Sequence, residues 1–224
     1  MEKYRIEEYV NLNNEEEKVD IAKQCLNIAN QAKFPTDFQD VYDHLFEDDS
    51  YIRIFIRNEK DEIKGFAIIC NRTVLNDLKI MHAHGMVISP EAQGLGLGKE
   101  VINMAVEKYK PDVVTAKTHN PRAFNLLCDL LNNGCEFYPN TKPIPDYIYK
   151  IIENDRFIDK VDDGLVYRNA YPDEKIQQTK RKEIINEVFE NVGPYDAQAI
   201  IVVVNDKVKE KVYTKPKTLK LTNR

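Results

Sequence analysis

The stretch MHAHGMVISPEAQGLGLGK, Met81 to Lys99, joins an apolar run to a glycine-rich turn, and the turn opens an amphipathic run. The apolar run has strand character and leaves through Ser89-Pro90. Gly94, Gly96 and Gly98 stand at every second position, so the backbone can bend sharply and approach a ligand with no Cβ in the way. The run that follows reads as a helix, whose first N–H groups have no partner within the helix and favour an anion such as a phosphate. The first expectation is therefore a phosphate-bearing ligand where this strand hands over to this helix.

Two familiar phosphate loops do not fit. A Walker A loop has a glycine five residues before its Gly-Lys pair and a Ser or Thr after it. Here Gln93 precedes Gly98-Lys99 and Glu100 follows, so no hydroxyl is present for magnesium. A dinucleotide fingerprint puts Gly or Ala three residues after its second glycine. Counted from Gly94 and Gly96, that place is Lys99, too large for close helix–sheet packing.

The turn does fit Gln/Arg-x-x-Gly-x-Gly/Ala, as Gln93-Gly94-Leu95-Gly96-Leu97-Gly98, behind an apolar strand ending in Ile88-Ser89-Pro90. This resembles the acyl-CoA loop of the GNAT superfamily of N-acetyltransferases. The resemblance implies that main-chain amides over Gln93, Gly94, Leu95, Gly96, Leu97, Gly98 and Lys99 hold the pyrophosphate of acetyl-CoA. It also implies that Met86, Val87 and Ile88 pair with the pantetheine arm, their N–H groups polarising the thioester carbonyl. A second family motif, Asn-x-x-Ala-x-x-Leu, is similar to Asn120-Pro121-Arg122-Ala123 with Leu126. Asn120 is either a contact to the cofactor, as the family implies, or a helix cap, and one residue can be both.

The order of elements extends the resemblance over roughly residues 1 to 139. A weakly alternating strand spans Tyr4 to Val10. A helix capped by Asn14 runs to about Ala32, and a second from about Asp37 to Phe46. Tyr51 to Arg57 and Ile63 to Asn71 form a hairpin, and Leu78 to Ile88 is the strand ahead of the glycine turn. A helix over Leu97 to Tyr109, a strand over Val113 to Thr118 and a helix from Pro121 toward Gly134 follow. The fold class expected is α/β (α+β): a mixed, mostly antiparallel central sheet, splayed at the cofactor site and flanked by helices. Beyond residue 140 the family pattern fades. Ile144 to Ile152 reads as helix, Leu165 to Ala170 as a strand and Asp173 to Val192 as a charged helix. AQAIIVVV, Ala197 to Val204, is the most strand-like run of the chain. The expectation is one GNAT domain over residues 1–224, with 140–196 inserted before the last strand and a basic tail over 207–224.

Two departures from the family stand out. The place where the family often carries a Tyr, suited to protonating the leaving thiolate, holds Leu127 and then Cys128. Gly134 also arrives about three residues late. The proton donor stays open between Tyr138, Cys128 and water.

His82 and His84 lie two apart on one strand and so share a face. They stand eleven and nine residues ahead of Gln93. A His-x-His pair at this spacing resembles that of the arylalkylamine N-acetyltransferases, where it relays the substrate proton. The chemistry needs such a group, because an ammonium has no lone pair to attack a thioester and histidine titrates near neutral pH. A metal pair and plain hydrogen-bonded sheet residues are the other readings. No third ligand is placed beside the pair, so no metal is expected. The acceptor pocket falls to the early helices, where Phe34, Phe38 and Tyr42 stand with Asp37, Asp40, Asp43, Glu47, Asp48 and Asp49. Such a surface suits a cationic amine, and equally a solvated acidic helix face.

Composition narrows the class further. A net charge of −5 disfavours a general nucleic-acid binder. No apolar run reaches membrane-span length, and the acidic start MEKYRIEEYVNLNNEEEK is no secretory signal. Cys25, Cys70, Cys128 and Cys135 lack metal-type spacing and read as reduced thiols of a cytoplasmic protein. The partners expected are acetyl-CoA and an amine acceptor, with no nucleic acid or membrane; a homodimer stays open. The function expected is acetyl transfer to a primary amine of a small molecule. Protein lysine or N-terminal acetylation, and a non-catalytic acyl-CoA-binding module, are the alternatives.

Overall fold

The computed structural model describes residues 3–9, 14–34, 36–48, 50–129, 134–140, 142–162, 164–170, 188–193 and 195–213. Strand β1 (Tyr4–Tyr9) is followed by helices α1 (Glu15–Gln31) and α2 (Phe38–Phe46). Asn14 caps α1 by accepting from the Glu16 amide, and Asp37 caps α2 by accepting from that of Asp40. Then come β2 (Tyr51–Asn58), β3 (Ile63–Val74) and β4 (Leu78–Ile88). The glycine turn opens α3 (Leu97–Tyr109), and β5 (Val113–Thr118), α4 (Pro121–Cys128) and β6 (Glu136–Tyr138) follow. The remaining elements are α5 (Asp146–Ile152), β7 (Val166–Tyr167), β8 (Ala197–Val203) and α6 (Val208–Tyr213).

The strands form one sheet in the order β1-β2-β3-β4-β5-β8-β6, with β7 also on β8. All neighbours are antiparallel except β4 and β5. A parallel pair requires a crossover, and α3 supplies it. β6 and β7 pair with different stretches of β8, at 201–203 and 197–198.

Alternation along the strands divides the core. Ile54, Ile56, Ile69, Met81, Val114, Ile200 and Val202 face α3 and α4 through Val101, Ile102, Ala105 and Phe124. On the other face Phe55, Phe66 and Ile68 meet α1 and α2 through Ile21, Cys25, Ile28 and Leu45. Farther along that face, Ile80, Val113, Ile201 and Val203 pack with Ile148 and Ile151 of α5 and Val208 and Val212 of α6. Two helical patches thus share one sheet face, and the strip between them carries His82 and Thr115.

Some expectations from the sequence need adjustment. The helix expected to run from Pro121 toward Gly134 is α-helical only to Cys128, and residues 130–133 lie outside the described residues. β6 and α6 have no counterpart in the sequence reading; a three-residue strand and a six-residue helix are too short to show a period. The expected strand over Leu165 to Ala170 contracts to Val166–Tyr167. Most of the charged helix expected over Asp173 to Val192, and the tail beyond Tyr213, fall outside the described residues.

Candidate active site

β4 and β5 are paired only from Ile80–Val113 to Ala83–Ala116. Past Ala83 the edge of β4 that faced β5 has no strand against it among the described residues. The departure coincides with a bulge. Ile69 pairs with Ala83 and Ile68 with Gly85, so His84 is the extra residue, and a bulge adds local twist that turns a strand from its neighbour. The gap opens into a cleft of about 530 Å³. It is lined by Gly85, Met86 and Val87 of β4, by residues 116–118 of β5, and by Asn120 and Ala123 at the start of α4. Phe34, Thr36, Asp40, Val41 and His44 close it from the α1–α2 side, and Phe157 and Ala170 from the other.

His82 and His84 both line this cleft, their rings 6.0 Å apart. Phe157 stacks on His82 at 4.4 Å and contacts His84 at 5.3 Å. His84 also meets the rings of Tyr51 and His44, at 5.3 and 5.4 Å. His82 is buried, and its Nδ1 lies 2.9 Å from the Thr115 hydroxyl, the residue directly beside it in the parallel pairing. The Thr115 hydroxyl lies 2.7 Å from Oδ2 of Asp155. Asp155 is buried in the turn after α5; its Oδ1 accepts from the Phe157 amide at 3.1 Å and pairs with Arg72 of β3.

Burial holds both histidines neutral. It pushes His82 well below its ordinary range, helped by the charge of a protonated His84 and by Arg72 and Lys117. His84 is lowered to about 4, by burial first and then by His44, Lys117 and Arg156. Burial also lowers Lys117, against the pull of Asp159, and its ammonium lies 4.4 Å from the Tyr167 ring.

The glycine turn sits beside the cleft. Gly94 and Gly96 have φ of +80° and +82°, which a side chain would strain, and Gly96 is the N-cap of α3 with no side chain to satisfy the first-turn amides. At Gly98 a Cβ would stand 3.2 Å from Met86 Sδ and 3.4 Å from Leu126. The turn thus has main-chain donors, a helix N-terminus and no obstruction at Gly94 or Gly96, which fits a diphosphate.

The structure treats the expected site residues unequally. His82, His84, Met86, Val87 and Asn120 line one cleft. Ile88 ends β4, and Gln93 donates its side-chain amide to the Ile88 carbonyl at 2.8 Å, so it braces the strand's exit. Leu95 is exposed and the Leu97 side chain is buried in the α3 core, which leaves Leu97 its main chain to offer. Lys99 lies in the first turn of α3. Asn120 accepts from the Arg122 amide and so caps α4 while facing the cleft. Of the expected acceptor surface, Phe34 and Asp40 reach the cleft. Tyr42 turns to Glu15 of α1, its ring tilted against Phe38 and edge-on to Phe46. Tyr138 is buried against Tyr147, and neither it nor Cys128 is among the residues lining the cleft. Thr115, Asp155 and Phe157 went unnoticed in the sequence because none belongs to a spaced motif; only the fold brings them to His82. Among the described residues no group of three His, Cys, Asp or Glu side chains is placed to hold a metal ion. Nor, among them, is any helix long and apolar enough to cross a membrane.

Residues 19–127 match the family model for the acetyltransferase (GNAT) family. Among solved structures, the ribosomal-protein-S18-alanine N-acetyltransferase of Escherichia coli is similar at a TM-score of 0.50 and 13% identity, covering 90% of this chain and 94% of its own. An acetyltransferase of Bacillus subtilis in complex with CoA is similar at 0.49 and 14%, over 89% of this chain and 97% of its own. No curated protein matches the chain. At such identity the Escherichia coli structure speaks for the fold alone, which is that of the sheet order and crossover described above. The family match spans β4, the glycine turn and α3, so it is this stretch, residues 19–127, that matches the GNAT acetyltransferase family.

Proposed function

We propose that this chain is an acetyl-CoA-dependent N-acetyltransferase that moves the acetyl group to a primary amine of a small molecule. The observation that carries the reading is the early end of the β4–β5 pairing at Ala83–Ala116, with His82 and His84 at the mouth of the gap. The open edge at Met86, Val87 and Ile88 takes the pantetheine arm, and the turn over Gln93 to Lys99 takes the diphosphate, with Asn120 at the side of the cleft. The amine enters under the α1–α2 side. Its ammonium proton passes to a histidine, its nitrogen attacks the thioester carbonyl, the C–N bond forms and the C–S bond breaks. The nitrogen gives up its second proton as the amide forms, and the departing thiolate takes up a proton in exchange through the solvent of the cleft. A histidine held neutral by burial is a ready acceptor at neutral pH, although a lowered pKa also limits its strength as a base. A cleft of about 530 Å³, closed on two sides, is the size of a small-ligand site. Residues 140–196 read as an insertion in this one domain that supplies one wall of the cleft through Phe157.

Thiol release from acetyl-CoA, measured across a panel of small primary amines and of peptides, tests the proposal. Turnover with a small amine is expected, with a loss of about 10²–10⁴-fold in a His82→Ala, His84→Ala double variant at neutral pH. Release with peptides alone would shift the acceptor to protein. Tight acetyl-CoA binding with no release on any amine would leave a binding module.

A further inference from the structure

The row His82–Thr115–Asp155–Arg72 crosses four segments of the chain, and its hydrogen bonds can be read for direction. Arg72 only donates, and Asp155 as the carboxylate paired with it only accepts. The Thr115 hydroxyl has one hydrogen, and Asp155 Oδ2 at 2.7 Å takes it. Thr115 can then meet His82 Nδ1, 2.9 Å away, only as an acceptor, so Nδ1 carries the hydrogen. A neutral imidazole with its hydrogen on Nδ1 has its lone pair on Nε2.

We infer that Asp155, acting through Thr115, is a positioning residue that sets His82 in the tautomer with the lone pair on Nε2, the form able to take a proton from the acceptor amine. The inference rests on the reading of His82 as proton acceptor. Asp155 itself is rigidly placed. Its amide donates to the Ile152 carbonyl at 2.9 Å, its carbonyl accepts from Ile158 at 2.9 Å, and its Oδ1 is held by the Phe157 amide and Arg72. Phe157, stacked on His82 and lying 4.7 Å from the Arg72 guanidinium, fixes the plane of the ring. The segment after α5 therefore orients a group on β4 that the family match covers, from a position that the match does not reach.

The Asp155→Asn variant reverses the row. Arg72 and the Phe157 amide keep the side-chain oxygen on their side, so the new NH2 faces Thr115 and donates. The Thr115 hydrogen then turns to Nδ1, and the His82 hydrogen moves to Nε2. Nitrogen-15 NMR of ring-labelled histidine, with His82 assigned by its loss in His82→Asn, reads this directly. Expected are Nδ1–H in the full chain and Nε2–H in Asp155→Asn. In the thiol-release assay Asp155→Asn is expected to lower kcat by about 10²-fold or more with KM for acetyl-CoA unchanged. Thr115→Val should fall alike, and Thr115→Ser, which keeps the hydroxyl, should retain turnover. An Nε2–H signal in the unaltered protein overturns the inference. So does full activity in folded Asp155→Asn and Thr115→Val while His82→Ala is impaired. Full activity of His82→Ala instead overturns the assignment of His82 as base, and the NMR signal separates the two failures.

Discussion

His82 and His84 sit where a positive charge is costly, and this has a consequence for folding. In the unfolded chain a histidine titrates near 6.5. In the fold His84 titrates at about 4 and His82 lower than its ordinary value, both chiefly from burial. As pH falls below about 6.5 the unfolded chain takes up protons that the fold refuses, so stability drops between about 6.5 and about 4 and is flat above that window. The groups facing the pair set its depth: Lys117 from β5, Arg72 from β3, Arg156 beside Phe157, and His44 from α2. His119, lowered by burial, adds in the same direction. The carboxylates held low, among them Asp112 and Asp162, lose their contribution only at more acid pH. Urea midpoints from pH 4.5 to 7.5 should rise with pH and then level. The rise should shrink in His82→Asn and His84→Gln, and a midpoint flat across the window would contradict the assignment.

At the scale of elements the close approach of α3 to β4 shapes the cleft. Gly98, in the first turn of α3, lies against Met86 and Ile88 of β4 and Leu126 of α4. Three elements converge on the one position that has no side chain. Gly98→Val crowds its added carbons into that contact, so the side-chain ends of Met86, Ile88 and Leu126 give way and α3 shifts by whatever they cannot absorb. A cost of about 1–3 kcal/mol is expected from the overpacking. In a chain of this size that is a fall of about 2–4 °C in Tm for each kcal/mol. Calorimetric titration should also show weaker acetyl-CoA binding, because the shift moves the glycine turn relative to Met86 and Val87. Unchanged Tm and affinity would mean that the two elements are less tightly seated than the distances state.

At the scale of the whole molecule, two helical patches on one sheet face leave the cleft between them, and the second patch includes α6, the last helix among the described residues. Val208 and Val212 of α6 are buried with Ile148 and Ile151 of α5. Lys211 of α6 reaches Asp112 at 2.6 Å, and Asp112 also accepts from the Lys79 amide and from Asn205. That carboxylate ties the starts of β4 and β5 to the end of β8 and to α6. A chain stopped after Asp206 loses two buried valines, worth about 3–6 kcal/mol together, and leaves Asp112 short of its cation. Set against a typical total of about 5–15 kcal/mol, this should lower soluble yield and Tm sharply. A truncated chain melting with the full one would show that α5 holds the sheet without α6.

What could be read directly from the residues was local. Asn14, Asp37 and Asn120 announce helix starts because a short polar side chain satisfies first-turn amides wherever it stands, and each is found as a cap. β4, α3 and β5 follow from the period of their apolar residues, and the bends at Gly94 and Gly96 from the one residue type that tolerates them. Tertiary structure alone decided the surroundings of the histidines. A period of two puts His82 and His84 on one face, but it does not say that His84 is a bulge residue or that β5 departs one residue earlier. Thr115 joins His82 because parallel pairing sets them side by side, and Asp155 because a turn 73 residues along the chain packs back onto the same strip of sheet. Contacts of that separation leave no spacing to read, since the chain between them can take any length that closes the loop.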